Sequence, residues 1–93
     1  MNRSDLVEVI AKDKNIARRQ AERAVNAVFG AIADAMHAGD RVEIRGFGSF
    51  TTRDREAYVG RNPRTGTQVQ VPSKRLPFFR VGKDLKDRIN GDD

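Results

Sequence analysis

The sequence predicts an α+β fold with the element order ααβββα, in one domain spanning residues 1–93. Two observations carry this. Apolar residues recur in steps of three and four through the first forty positions, then at every second position from Val42 onward. Turn-forming residues fall between the segments so defined, at Gly39-Asp40, Gly46-Phe47-Gly48, residues 60–66 and Gly82. A chain of 93 residues buries only about 64% of its extended surface on folding. One domain is expected, with a thin core.

Residues 1–40 read as two helices. Asn2 is an N-cap candidate, with Asp5 three residues on in the reciprocal position. Leu6, Val9 and Ile10 follow at helical spacing, and Asp13-Lys14-Asn15 breaks the pattern. The second helix spans about residues 18–38. Its apolar stripe is Ala21, Ala24, Val25, Val28, Phe29, Ile32, Ala35 and Met36. Gly39 is its expected left-handed terminator. Ala17 stands where Ser or Thr would cap its start. From Asp40 the period is two. Val42 and Ile44 alternate with Arg41, Glu43 and Arg45 in a half-buried strand, and Gly46-Phe47-Gly48 turns the chain with Phe47 and Phe50 packed into the core. A second strand runs through Phe50 and residues 51–59. The return resumes at residues 67–71, is interrupted at Pro72-Ser73, and continues through residues 75–81. Residues 83–89 form a short amphipathic helix led by Leu85 and Ile89, and residues 90–93 are expected to fray.

Residues 53–74 form an anomalous ribbon. Their apolar side chains are Ala57, Tyr58, Val59, Val69 and Val71. So few cannot bury a face, and an isolated two-stranded hairpin is marginal in water. The segment therefore reads either as disordered alone or as an arm that projects and orders on a partner.

Charge identifies the partner's chemistry. The chain carries 18 Lys and Arg against 13 Asp and Glu, a net charge of +5. Residues 51–83 hold eight cations (Arg53, Arg55, Arg61, Arg64, Lys74, Arg75, Arg80, Lys83) against Asp54 and Glu56, so the excess is concentrated there. Six of the eight are Arg, whose planar fork suits phosphate. A positive field of this kind points to a polyanion, nucleic acid above all.

Other chemistries are poorly represented. There is no Cys and one histidine, His37, so thiol catalysis and Cys- or multi-His metal sites are excluded. No apolar run approaches the ~20 residues of a membrane helix, and the amino terminus lacks the layout of a signal peptide; a cytoplasmic protein is expected. Gly46-Phe47-Gly48 lacks the third glycine of a dinucleotide fingerprint and joins two strands. Residues 60–66 are not followed by the Lys-Ser/Thr of a phosphate-binding loop. No nucleophile, base and orienter occur together, so neither an enzyme nor a small-molecule substrate or cofactor is expected.

The informative motif is Gly60-Arg61-Asn62-Pro63-Arg64-Thr65-Gly66, at the turn of the arm. It can be a rigid hairpin turn and no more. It can also be a wedge: a stiff apolar proline on a cationic ribbon can enter between base pairs from the minor groove, kinking the duplex. Arg61 and Arg64 flank it, where the groove's potential or phosphates can be met. Asn62 can bond minor-groove base edges. An RNA-binding role is the alternative. The wide, shallow minor groove of A-form RNA suits such a wedge poorly.

This motif, with Gly46-Phe47-Gly48-Ser49-Phe50 and Pro77-Phe78-Phe79-Arg80-Val81-Gly82-Lys83, resembles the HU / integration host factor family of bacterial DNA-bending proteins over residues 1–90. The resemblance implies an intertwined dimer, with a helical base from residues 1–40 of both chains and a sheet over residues 41–82. Two β-ribbon arms, residues 53–75, wrap double-stranded DNA. It implies that Pro63 intercalates and that Arg61, Asn62 and Arg64 line the minor groove. It assigns phosphate contacts to Arg53, Arg55, Lys74, Arg75 and Arg80, to Lys83 and Lys86 near the last helix, and to Arg3 and Ser4 at the first. It places Phe29, Phe47, Phe50 and Phe79 in the core and dimer interface. It also implies association with the nucleoid.

Two branches of the family differ in partner and selectivity. HU-like proteins bind with little sequence preference, often as homodimers; integration host factor is a site-preferring heterodimer. Residues 43–50, Glu-Ile-Arg-Gly-Phe-Gly-Ser-Phe, and residues 84–88 resemble the latter's beta subunit. That likeness implies a minor-groove role in site choice for Arg45, steadied by Glu43. An ordinary surface ion pair between the two is the alternative. Phe78 departs from the small or polar residue usual at its position.

Overall fold

The computed structural model describes residues 1–91; Asp92 and Asp93, half of the tail expected to fray, lie outside the described residues. The elements are α1 (Arg3–Lys14), α2 (Arg18–His37), β1 (Val42–Ile44), β2 (Gly48–Arg55), β3 (Tyr58–Arg61), β4 (Gln68–Val71), β5 (Lys74–Val81) and α3 (Lys83–Asn90). The predicted order holds, with each ribbon strand divided in two.

The helix ends follow local chemistry. Asn2 Oδ1 accepts from the Asp5 backbone N–H at 2.9 Å, and Asp5 Oδ2 accepts from the Asn2 N–H at 3.0 Å. These two bonds complete the expected capping box. Asn15 ends α1 in the left-handed region, at φ 52°. Helix α2 starts at Ala17 without a side-chain cap. It ends in a Schellman arrangement: the Gly39 N–H reaches the Met36 carbonyl at 3.0 Å and the Asp40 N–H reaches that of Ala35 at 2.8 Å. The fraying expected of Asn90 and Gly91 gives way to order. Asn90 belongs to α3, and Gly91, at φ 72°, closes it.

Helices α1 and α2 bury Val7, Ala21 and Val25 between them, with Leu6, Ile10, Ala11 and Ile16 packed around. Polar ties span the pair. Arg3 Nε and Nη2 donate to Asn26 Oδ1 at 3.0 and 2.7 Å, and Arg18 Nη2 donates to Ser4 Oγ at 2.9 Å. The rest of the α2 stripe is covered only in part, with Ile32, Ala35 and Met36 half-buried. Val28 is 55% and Phe29 53% exposed. Phe47, expected in the core, is 46% exposed; its ring packs edge-on with that of Phe79, at a centroid distance of 5.7 Å. The chain alone has too little apolar mass to close over these rings.

The strands form two antiparallel sheets, β1-β2-β5 and β3-β4. Strand β2 pairs with β5 from Gly48↔Val81 to Arg55↔Lys74, and β3 pairs with β4 from Tyr58↔Val71 to Arg61↔Gln68. The interruption expected at Pro72-Ser73 is present, and it is matched by a break at Glu56-Ala57 in the outgoing strand. The physical reason is shared: Pro72 has no N–H to give the ladder, so the pairing lapses on both sides. Pro77 is tolerated within β5 because that strand lies at a sheet edge. The β3-β4 ribbon projects from the rest. The radius of gyration is 19.0 Å and the longest extent 58 Å, against about 12 Å for the radius of a compact chain of this length.

Candidate nucleic-acid interface

The alternation of side chains sorts the cations of the three-stranded sheet. Phe50 lies opposite Phe79, their ring centroids 4.8 Å apart, and both line a cavity with Phe29, Ile32 and Met36 of α2. That face is turned toward the helix. Positions 49, 51, 53 and 55 of β2 and 74, 76, 78 and 80 of β5 lie on the other face. Arg53, Arg55, Lys74 and Arg80 therefore share one surface, and all are exposed.

Arg75 does not join them. It lies opposite Asp54 on the helix-facing side, and its Nη2 donates to the His37 carbonyl at the end of α2, 2.9 Å away. Expected among the phosphate contacts, it is instead engaged within the chain. Arg3 and Ser4 are likewise held, by Asn26 and Arg18. Lys83 pairs with Asp87 one helical turn on, at 2.8 Å, with its side chain largely exposed. Lys86 is exposed on α3.

The outer face contains a pairing that charge counting missed. The Arg53 guanidinium lies over the Phe78 ring, 3.5 Å from its centroid. Stacking of this kind fixes the plane of the cation and leaves its N–H edge available. The unusual Phe78 thus has a local role. The signal was in the sequence: two residues on partner strands, both on the outward parity.

At the near edge of the sheet, Arg41, Arg45, Ser49 and Arg80 line a shallow groove with Glu43. Arg45 is the first residue of the β1–β2 turn, beyond the strand in which it was expected. Glu43 lies 3.7 Å from Arg41, so the acid expected to steady Arg45 faces a different arginine. The turn itself docks on α3. The Gly46 carbonyl accepts from the Leu85 N–H at 3.0 Å, and the Phe47 carbonyl from that of Gly82 at 2.8 Å. Helix α3 has no side-chain cap; the neighbouring backbone takes that place. Gly46 is at φ 84°, and a Cβ there would stand 2.5 Å from Asp84 Oδ2. Close approach, not nucleotide binding, explains Gly46-Phe47-Gly48.

The arm tip is a closed, internally bonded turn. The Asn62 N–H reaches the Thr67 carbonyl at 2.8 Å, and the Gly66 N–H reaches that of Asn62 at 2.7 Å. Asn62 Oδ1 accepts from the Arg64 N–H at 2.8 Å, and the Thr65 hydroxyl donates to that of Thr67 at 2.9 Å. Gly66 takes φ 74°. Asn62, expected at base edges, spends its oxygen on this turn. Pro63, Arg61 and Arg64 are exposed at the end of the ribbon. Below them the Tyr58 ring lies over Gly60, which has room for it beside Val71.

The model for the family described as bacterial DNA-binding protein matches residues 1–90. HU of Anabaena, solved in a cocrystal with DNA, superposes with a TM-score of 0.87 at 36% identity, over 96% of this chain and 97% of that one. A single-residue variant of HU from Thermotoga maritima gives a TM-score of 0.71 at 25% identity, over 96% and 99%. A mutant of transcription factor 1 shares the fold, with a TM-score of 0.65 at 24% identity over 98% and 92%. With its whole-length family match and an HU relative at this identity, the chain belongs to the HU family of bacterial DNA-binding proteins.

Proposed function

We propose that this chain is an architectural, histone-like protein of the nucleoid that bends double-stranded DNA without marked sequence preference. The observation that carries the reading is the exposed Pro63 between Arg61 and Arg64, on a rigid turn at the end of a ribbon with little core of its own. In this reading residues 1–93 act as one unit and two chains pair. The exposed rings of Phe29, Phe47 and Phe79, with the half-buried Phe50, supply the interface, closed by an identical or homologous second chain. Arg53, Arg55, Lys74 and Arg80 hold phosphates along the outer sheet face. Lys83 and Lys86 extend the track past α3, and Arg3 and Ser4 add a contact at the helical base.

The division of labour follows from magnitudes. Phosphate contacts release counterions and supply most of the affinity, with a log–log salt slope of about −0.9 per phosphate neutralised. Proline insertion costs a few kcal/mol of unstacking and yields the kink. Pro63→Ala is therefore expected to reduce the bend, read by energy transfer between duplex ends, far more than it reduces affinity. An unchanged bend removes the wedge from the mechanism.

Site selection is the competing reading, favoured by the likeness of residues 43–50 to the integration host factor beta subunit. The likeness to an HU over nearly the whole of both chains, at 36% identity, leads us to favour the non-selective branch. Selection from a random duplex pool by the purified chain decides between them. Retention without enrichment fits an HU-type role. An enriched motif that Arg45→Ala abolishes, with random-sequence binding intact, means site choice.

A further inference from the structure

We infer that Arg75 is a positioning residue that locks the root of the arm to the end of helix α2 and contributes no phosphate contact. The inference rests on the DNA-bending reading above and assigns one of its cations a different role.

Three observations converge on Arg75. The first is register. Arg75 lies opposite Asp54, on the sheet face turned toward α2, whereas Arg53, Arg55, Lys74 and Arg80 occupy the opposite face. A cation on that side cannot follow a duplex laid along the other four. The second is the hydrogen bond itself, from Arg75 Nη2 to the His37 carbonyl at 2.9 Å, across 38 positions of sequence. The third is what that carbonyl lacks. In the Schellman closure of α2 the carbonyls of Ala35 and Met36 are taken by Asp40 and Gly39, and that of Asp34 by Ala38. Among the described residues no backbone N–H reaches the His37 carbonyl. A helix leaves its last carbonyls unpaired, and a guanidinium there also meets the negative end of the helix dipole. Arg75 is thus held by a hydrogen bond and by a field.

The consequence concerns the arm. Arg75 is the second residue of β5, next to the break at Pro72-Ser73 where the ladder lapses. A ribbon that leaves the sheet at a break has a hinge there. Fastening the residue just inside the break to α2 confines the hinge to the Glu56-Ala57 and Pro72-Ser73 level and fixes the direction in which the arm departs. The direction matters because a proline wedge must reach its base step while the body holds phosphates.

The test compares Arg75→Ala, Arg75→Lys and Arg55→Ala in the full-length protein, by salt-dependent binding to a duplex, bend angle by energy transfer, and amide hydrogen exchange. Arg55→Ala is expected to make the log–log slope shallower by about 0.9; a slope unmoved by Arg55→Ala would overturn the phosphate track itself, independently of Arg75. Arg75→Ala is expected to leave the slope unchanged and to speed exchange about five- to tenfold at residues 38–40 and 74–76 together, with a broader distribution of bends. Arg75→Lys retains a donor and a charge and should restore part of the protection. A slope shallowed by about 0.9 in Arg75→Ala would make Arg75 a phosphate contact and overturn the proposal. So would an Arg75→Ala protein with unchanged exchange and bend.

Discussion

The helical base and the arm are built on opposite principles. Between α1 and α2 the chain buries Val7 and Ala21 fully and leaves Val25 3% exposed. In the β3-β4 arm Tyr58 is 61%, Val59 62% and Val69 46% exposed. The base is held by apolar packing; the arm is held by its ladder and by the bonds that Asn62, Thr65 and Gly66 make within the tip. What stabilises the first region is largely insensitive to solvent charge. What orders the second is backbone pairing and the hydrogen bonds of the tip. The difference teaches that one small chain can devote its core to a platform and leave a projecting ribbon almost without one.

The sharpest way to break the comparison is to put the same charge in both regions. Val7→Asp buries a carboxylate without a partner and should cost more than about 4 kcal/mol, enough to abolish cooperative unfolding in calorimetry. Val59→Asp, on the exposed arm, should leave the thermal midpoint within the shift of about 0.5 kcal/mol expected for surface changes. Comparable losses in the two variants would mean that the arm carries a core of its own.

The uncovered part of the base supplies the next test. If Phe29 is an interface residue, Phe29→Ser should weaken chain–chain association by about 2 kcal/mol or more, roughly thirtyfold. Sedimentation at graded concentrations reads this directly. Unchanged association would place the second chain elsewhere. In the arm, Gly66→Ala forces a side chain into φ 74°, at a cost of about 1–3 kcal/mol. Because the arm packs on so little, that cost should fall on the tip alone. Amide exchange at Asn62 and Gly66 should rise, and the unfolding midpoint should hold. A falling midpoint would show tip and base to be one cooperative unit.

The same contrast decides what could be read before the structure. The base was legible because packing leaves a period in the sequence: the Asn2/Asp5 cap, the α2 stripe and the Gly39 terminus lie where spacing puts them. The proline at the arm tip was legible because turn chemistry is local. Three things were not. The break at Glu56-Ala57 is imposed by a proline on the other strand, which no window around residue 56 contains. The departure of Arg75 from the other cations depends on register, and a count of charges has none. The Glu43–Arg41 pair could not be foreseen, because Arg41 and Arg45 stand equally two residues from Glu43 and the sequence does not choose between them. Helix and turn identity are properties of short segments. The direction in which a given arginine points is a property of the pairing.

Phe78 gives the finest test of that last point. On the outer face the Arg53 guanidinium lies 3.5 Å from the Phe78 ring centroid, in a position to hold the plane that the proposed phosphate contact would use. An exposed stack of this kind contributes about 0.5–1 kcal/mol, the smallest effect considered, and only a double-mutant cycle separates it from simple loss of charge. Arg53→Ala should weaken duplex binding and make its salt slope shallower by about 0.9, as for any lost phosphate contact. Phe78→Leu keeps an apolar body but loses the ring. It should weaken binding about two- to fivefold with the slope intact, since no charge has been removed. In the double variant the Phe78 effect should vanish, because the guanidinium it positions is gone. If Phe78→Leu costs as much without Arg53 as with it, the ring acts on the duplex or on the sheet directly. The Arg53 guanidinium would then owe nothing to the ring beneath it.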